Sequence, residues 1–355
     1  MAIFLYLAST TPHAGKNTIS IGLMRQLMHA GYRPAWHKPL GTLPIDTPRG
    51  LEDEDTLFMR GALGLDEESV PPSTVPVTHD LRMRTYRGEN ADPLPELKTL
   101  YAKLAEKHDA ILVYGSDMLE SGSMYGLDGL RFIRELGFKG IVIDRVTHGA
   151  HPDPLLYMRG LIGDKLAGVV FNAVGPAMRG RITDELQPFL ENRGIPVLGS
   201  IPQEPALTSL LVSQIMEALD ARLLTSPGKS PRAVENFLIG TMQVENFMTH
   251  FRRKPGSAVI VGGDRADVQM VAIEGGSPCL ILTGNFQPGD MVLSRADALD
   301  VPVLLTRDDT VGAAHRVENL FNTGKLRDTG KVGLAEKLVR SSLDFTALKQ
   351  IMGMK

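Results

Sequence analysis

The chain has a single cysteine, Cys279. One thiol excludes an intrachain disulfide and reads as the mark of a reducing, cytoplasmic compartment. Its place in the apolar run 279–282 predicts a buried structural side chain rather than a nucleophile. Long hydrophobic runs are also missing. Nothing approaches the ~18 consecutive apolar residues of a membrane span. The first apolar run, residues 3–7, leads into polar Ser and Thr, so no signal peptide is expected. Charge of one sign is missing as well: 38 basic against 41 acidic residues leave a net charge of -3. That gives no electrostatic case for a nucleic acid or an anionic membrane as partner.

What remains is an ordinary soluble composition, 43% hydrophobic and 22% charged, over 355 residues. That length predicts two domains.

The most informative stretch is the first. Residues 3–7 are apolar and β-prone, and residues 19–28 carry helical spacing with Ile19, Leu23 and Leu27 on one face. Between them runs Ser9, Thr10, Thr11, Pro12, His13, Ala14, Gly15, Lys16, Asn17, Thr18. A strand feeding a short loop that ends in Gly-Lys and opens a helix is the geometry of a phosphate site. Backbone N–H groups at the helix start face the anion, and the helix dipole adds to them. Thr11, Pro12, His13, Ala14, Gly15, Lys16, Asn17 and Thr18 are therefore the candidate phosphate-binding residues, with Lys16 as the point charge. Two positions depart from G-x-x-x-x-G-K-[ST]: Thr10 stands where the first Gly would be, and Asn17 where a magnesium-binding hydroxyl would be.

Further on, 33–38 reads as a second strand ending in Lys38. Acidic residues 52–55 read as the start of a helix, and Asp55 is the candidate metal ligand. Residues 66–95, rich in Pro, Ser and Thr, read as a loop or excursion. Apolar strands follow at 110–113, 140–143, 166–171 and 195–202, alternating with helices at 94–107, 132–136, 153–162 and 182–192. Strand ends fall at Tyr114, Asn172 and Pro202, with Asp117 three residues beyond Tyr114. This alternation predicts a doubly wound parallel sheet whose ligand lies beyond the carboxyl ends of the strands. After a linker at 213–234, a smaller α/β unit has strands at 258–261, 279–282 and 301–305. Its polar, Gly-containing turns at 262–265 and 283–285 suit either a small anion or simply tight turns.

Taken together, the first 200 or so residues resemble the dethiobiotin synthetase-like P-loop fold. That fold is found also in cobyrinic acid diamide synthases and at the N-terminus of long bacterial phosphotransacetylases. Residues 235–345 resemble a DRTGG domain: Asp264, Arg265, Thr283 and Gly284 match, and Asn285 departs from the final Gly. The resemblance implies an α/β, doubly wound parallel-sheet P-loop NTPase-like domain at 1–212, a linker at 213–234, a smaller α/β DRTGG domain at 235–345 and a C-terminal tail at 346–355. It implies ATP or another nucleotide at the loop, with Asn172 and Pro202 among the nucleotide-facing residues, and a homo-oligomer. It implies Mg²⁺ at a degraded site. Asn17 replaces Thr, Tyr114 replaces Glu, and Asp55 is the remaining ligand. The chain stops where a phosphotransacetylase would continue into its acetyltransferase domain, so acetyl-phosphate chemistry is not expected. Three functions follow as expectations. One is a nucleotide-binding regulatory protein. The second is an ATP-dependent ligase or amidoligase, with Lys16 on the transferred phosphoryl, Lys38 on a small carboxylate substrate and Asp55 on the metal. The third is a dimerisation or assembly module.

Overall fold

A computed structural model describes residues 2–146, 152–225, 232–323, 326 and 328–354. The chain divides into two compact units, 1–203 together with 326–355, and 204–325.

The first unit is built on a six-stranded sheet. Its order is Val197–Pro202, Leu166–Val174, Lys139–Arg145, Ile3–Ser9, Ala110–Met118, Pro34–His37, and every pairing is parallel. The strand-forming runs expected from the sequence are all here. Period-2 alternation puts both faces of Ile3–Ser9 in apolar surroundings. Tyr6 and Ala8 join a core with Val113, Phe132, Val142, Leu155 and Phe171, while Leu5 and Leu7 are buried on the other face. A sheet buried on both sides needs helices on both sides.

On one of those sides the helix Lys16–His29 packs against Val332–Ser342, from the far end of the chain. Gly22 makes this possible, since a Cβ there would lie 2.2 Å from the Cβ of Val339. Phe345–Met352 follows against the Leu166–Val174 and Val197–Pro202 strands. The expected boundary at 345 is therefore corrected. Residues 326–345 belong to the first unit, because their apolar faces are buried there rather than on the second sheet.

Other departures are local. The expected linker contains a helix, Val212–Ala218, and a strand, Arg222–Leu223, that pairs with Val303–Leu305. Its Pro/Ser-rich part, 226–231, lies outside the described residues. The acidic run is only in part a helix start: Gly50–Asp53 forms a hairpin with Pro44–Thr47, and the helix Glu54–Leu63 begins after it. The excursion at 66–95 includes the helix His79–Tyr86. The third strand does not end at Tyr114. It continues to Met118 through a register shift opposite Leu7 and Ser9, which keeps Tyr114 inside the sheet and 4% exposed.

The second unit carries a five-stranded sheet in the order Arg222–Leu223, Val303–Leu305, Leu280–Thr283, Ser257–Gly262, Asn236–Ile239. All but the first strand are parallel. Alternation again divides the core. Val259, Val261, Leu280 and Leu282 face one helical layer, and Ala258, Ile260, Cys279 and Ile281 the other. Cys279 is buried, and burial pushes its thiol well above the ordinary range, so it is an inert packing residue. Among the described residues no helix is long and apolar enough to cross a membrane.

Candidate functional site

The carboxyl ends of the parallel strands bring together residues far apart in sequence. The loop after Ile3–Ser9 enters the helix Lys16–His29 through Gly15, whose φ is +93°. That helix has no side-chain cap and no acidic residue in its first turn. Its first N–H groups have no intrahelical acceptor, so the start of the helix is electropositive.

The loop is stitched to two neighbouring strands by its carbonyls and one hydroxyl. Arg145 Nη1 donates to the His13 carbonyl at 3.1 Å. Asn172 Nδ2 donates to the Ala14 carbonyl at 2.8 Å. The Thr10 hydroxyl donates to Asp144 Oδ1, and the Thr10 N–H reaches the Ile143 carbonyl at 3.1 Å. In a trans peptide the C=O and the following N–H point opposite ways. Carbonyls turned toward Arg145 and Asn172 therefore turn the N–H groups of Ala14 and Gly15 the other way. Two non-glycine residues with positive φ flank this contact, His13 at 54° and Ala173 at 55°. Such strain persists where surrounding structure holds it, and it concentrates at functional sites.

Lys16 is 4% exposed. Its ammonium donates to Ser9 Oγ and to the Asp117 carbonyl, both at 3.0 Å, and lies 3.9 Å from Asp117 Oδ1. It also lies 5.6 Å from the centre of the Tyr114 ring. Asn17 is buried, with Nδ2 donating to the Leu326 carbonyl at 3.0 Å, while its Oδ1 has no hydrogen-bond partner among the described residues. Thr11 and Pro12 are exposed on the turn, and Thr18 is buried in the first helical turn. Pro202 closes the last strand, opposite Val174.

Lys38 and Asp55, expected to serve separate ligands, bond to each other. The Lys38 ammonium is 2.8 Å from Asp55 Oδ2, 2.9 Å from each oxygen of Asp53 and 3.3 Å from Thr42 Oγ1. Asp53 caps the helix Glu54–Leu63, accepting from the N–H groups of Asp55 and Thr56, and it also accepts from Leu43 N–H at 3.0 Å. The hairpin explains the cluster: by pairing 44–47 with 50–53 it folds both carboxylates back over the strand end that carries Lys38. The Tyr114 ring lies near both lysines, its centre 5.9 Å from the Lys38 ammonium. Among the described residues no group of three or more His, Cys, Asp or Glu is placed to hold a metal ion.

Asp53, Asp144 and Arg145 were not singled out in the sequence. The signal for the last two was present, since they directly follow the apolar strand 140–143 at the carboxyl edge where ligand-facing groups collect.

In the second unit the motif residues share the carboxyl edge of their own sheet. Gly262 pairs with Thr283, and a Cβ on Gly263 would lie 2.0 Å from the Phe286 carbonyl. Asp264 precedes Arg265, which stands at the N-terminal boundary of the helix Ala266–Glu274 without a side-chain cap bond. The Arg265 guanidinium forks onto Asp267 at 3.0 and 2.9 Å and reaches the Met242 carbonyl at 3.1 Å. The Thr283 hydroxyl bonds that of Thr310 at 2.8 Å, and Gly284 N–H donates to the Asp308 carbonyl at 2.7 Å.

Comparison with known proteins agrees with this two-part build. An AAA domain family model matches residues 4–210, and a DRTGG domain model matches residues 214–320. A phosphate acetyltransferase of Synechocystis sp. is 22% identical over 360 residues, covering 97% of this chain and 51% of that protein. The chain thus spans about half the length of that relative. The ATP-dependent dethiobiotin synthetase BioD of Ralstonia nicotianae is 26% identical over 210 residues, covering 56% of this chain and 89% of that protein. The solved structure of cobyrinic acid a,c-diamide synthase from Mycobacterium smegmatis, with bound ATP analog and magnesium, aligns with a TM-score of 0.36 and 16% identity. It covers 57% of this chain and 85% of that one.

Proposed function

Since the chain belongs to the AAA domain family over residues 4–210 and carries a DRTGG domain after it, we propose that it is a nucleotide-binding regulatory protein. The first unit holds the phosphates of ATP or a related nucleotide, and the second senses or transmits. The observation that carries this reading is the loop at 10–18: its carbonyls are drawn off by Arg145 and Asn172, and Lys16 stands at the opening of an uncapped helix. Both hydrogen-bond acceptors of the Lys16 ammonium given above are neutral oxygens, the Ser9 hydroxyl and the Asp117 carbonyl. Exchanging them for phosphate oxygens replaces neutral acceptors with charged ones, which make hydrogen bonds roughly twice as strong. The gain works against the cost of drawing the lysine away from these oxygens and from the Asp117 carboxylate 3.9 Å away.

The reading as a carboxylate-activating ligase, favoured by the dethiobiotin synthetase relative, is weaker. It needs the Lys38 ammonium for a substrate carboxylate, and that ammonium is already shared by two carboxylates of the chain itself. Calorimetric titration of the full chain with ATP and with GTP tests the proposal. Saturable heat that disappears in Lys16→Ala is the expected result. Absence of binding for every adenine and guanine nucleotide at millimolar concentration refutes it.

A further inference from the structure

We infer that Lys38 is a resident cation that takes the place of a divalent metal between Asp53 and Asp55, so that nucleotide binds to this chain without Mg²⁺. The inference rests on the nucleotide reading above and deepens it.

Resemblance to P-loop enzymes leads one to expect magnesium on Asp55. The residues present do not fit it. Mg²⁺ asks for six oxygens in an octahedron at about 2.0–2.1 Å. Here the space between the two carboxylates is filled by an ammonium within 2.9 Å of three of their four oxygens, with the Thr42 hydroxyl at 3.3 Å beside it. Lys38 is 2% exposed, and both aspartates are 0% exposed. The remaining capacity of Asp53 is taken by three backbone N–H groups, which supply the positive partial charge a second cation would otherwise bring.

The next strand offers the ring of Tyr114, which lies against both ammoniums and cannot ligate through its face. On the helix, Asn17 carries an amide where a hydroxyl would reach a metal; its nitrogen is held by the Leu326 carbonyl, so its Oδ1, which has no hydrogen-bond partner among the described residues, is the one oxygen this position offers a cation. Phosphate charge at the loop is then met by Lys16, by Arg145 through the backbone it orients, and by the helix start. Magnesium contributes nothing to affinity.

The first measurement is calorimetric titration of the full chain with ATP, in EDTA and in excess MgCl₂. The expected Kd is the same in both to within about twofold, whereas a Kd about tenfold or more lower with Mg²⁺ overturns the inference. The second uses no nucleotide. Free Mn²⁺ is followed by its electron paramagnetic resonance signal during titration into wild type, Lys38→Met and Asp55→Asn. Wild type is expected to leave Mn²⁺ free, Lys38→Met to sequester it, and Lys38→Met/Asp55→Asn to lose it again. Sequestration by wild type that vanishes in Asp55→Asn overturns the inference, as does a folded Lys38→Met that leaves Mn²⁺ free. Should Lys38→Met not fold, the wild-type and Asp55→Asn comparison decides alone. Should no nucleotide bind, the functional reading falls, while the Mn²⁺ titration still decides what occupies the space between the carboxylates.

Discussion

Asn172 Nδ2 sits 2.8 Å from the Ala14 carbonyl, and a Cβ added to Gly15 would come within 2.1 Å of that same nitrogen. Two demands thus meet at position 15: a left-handed backbone and room for the neighbouring strand's amide. Gly15→Ala is expected to incur about 1–2 kcal/mol of backbone strain and to push Asn172 off the loop. ATP affinity should fall about tenfold or more, since the N–H groups of 14 and 15 lose their direction. Gly15→Ala/Asn172→Ala should recover part of the loss. Simple additivity in a calorimetric double-mutant cycle would mean that the two residues do not act through one contact.

His37 supplies a pH dependence. It is fully buried, with Nδ1 3.0 Å from the Tyr101 hydroxyl and Nε2 3.3 Å from the Thr74 hydroxyl. Burial lowers its pKa to about 3, so the folded state holds it neutral. The unfolded chain binds a proton near pH 6.5 and the folded one does not. The stability His37 contributes is therefore fully present above about 6.5 and declines as pH falls from there toward about 3. The slope approaches ~1.4 kcal/mol per pH unit in that window. Urea melts from pH 7 to pH 4.5 should show the decline, and His37→Gln should flatten it. An unchanged slope in the variant would assign the acid sensitivity to other groups.

Much of this architecture could be read from the chain because strands 3–9, 139–145 and 166–174 are short apolar runs bounded by polar ends, and helices such as Asp153–Ile162 and Leu94–Lys107 carry their own period and a proline in the first turn. What could not be read depends on distant contacts. Nothing local in 332–342 says that its apolar stripe is met by Gly22 rather than by the sheet next to it in sequence. Gly115, Ser116 and Asp117 look like a turn, yet a register shift carries the strand through them. Lys38 and Asp55 each looked ready for a ligand, because sequence spacing cannot show that a hairpin at 44–53 closes one upon the other.

The returning C-terminal helix gives a stability test. Gly22→Ala would place a methyl 2.2 Å from Val339 Cβ, between two helices that bury their faces on each other. Overpacking of this kind costs about 1–3 kcal/mol. Val339→Gly removes the very Cβ that the new methyl would meet, so the double variant should lose less stability than the two single changes added together. Truncation after residue 325 should expose the same face of Lys16–His29 and leave the first unit protease-sensitive. A truncated chain melting like the full one would show that the last thirty residues add nothing to the first unit.

The buried triad of Lys38, Asp53 and Asp55 gives the last test, and here the sign depends on which partner is removed. Lys38→Met leaves two carboxylates enclosed with no cation, and breaking a buried pair in this way costs about 3–5 kcal/mol. Asp55→Asn leaves the ammonium against Asp53, with both Asp53 oxygens still at 2.9 Å, so its cost should be clearly smaller. Lys38→Met/Asp53→Asn/Asp55→Asn removes every charge and should be more stable than Lys38→Met, because a neutral buried cluster avoids the desolvation that an unpaired charge suffers. Urea denaturation at neutral pH ranks the three. If Lys38→Met proves no less stable than Asp55→Asn, the lysine is not the counter-charge that holds these aspartates in the fold. The metal-free account of the phosphate site would then lose its structural footing as well.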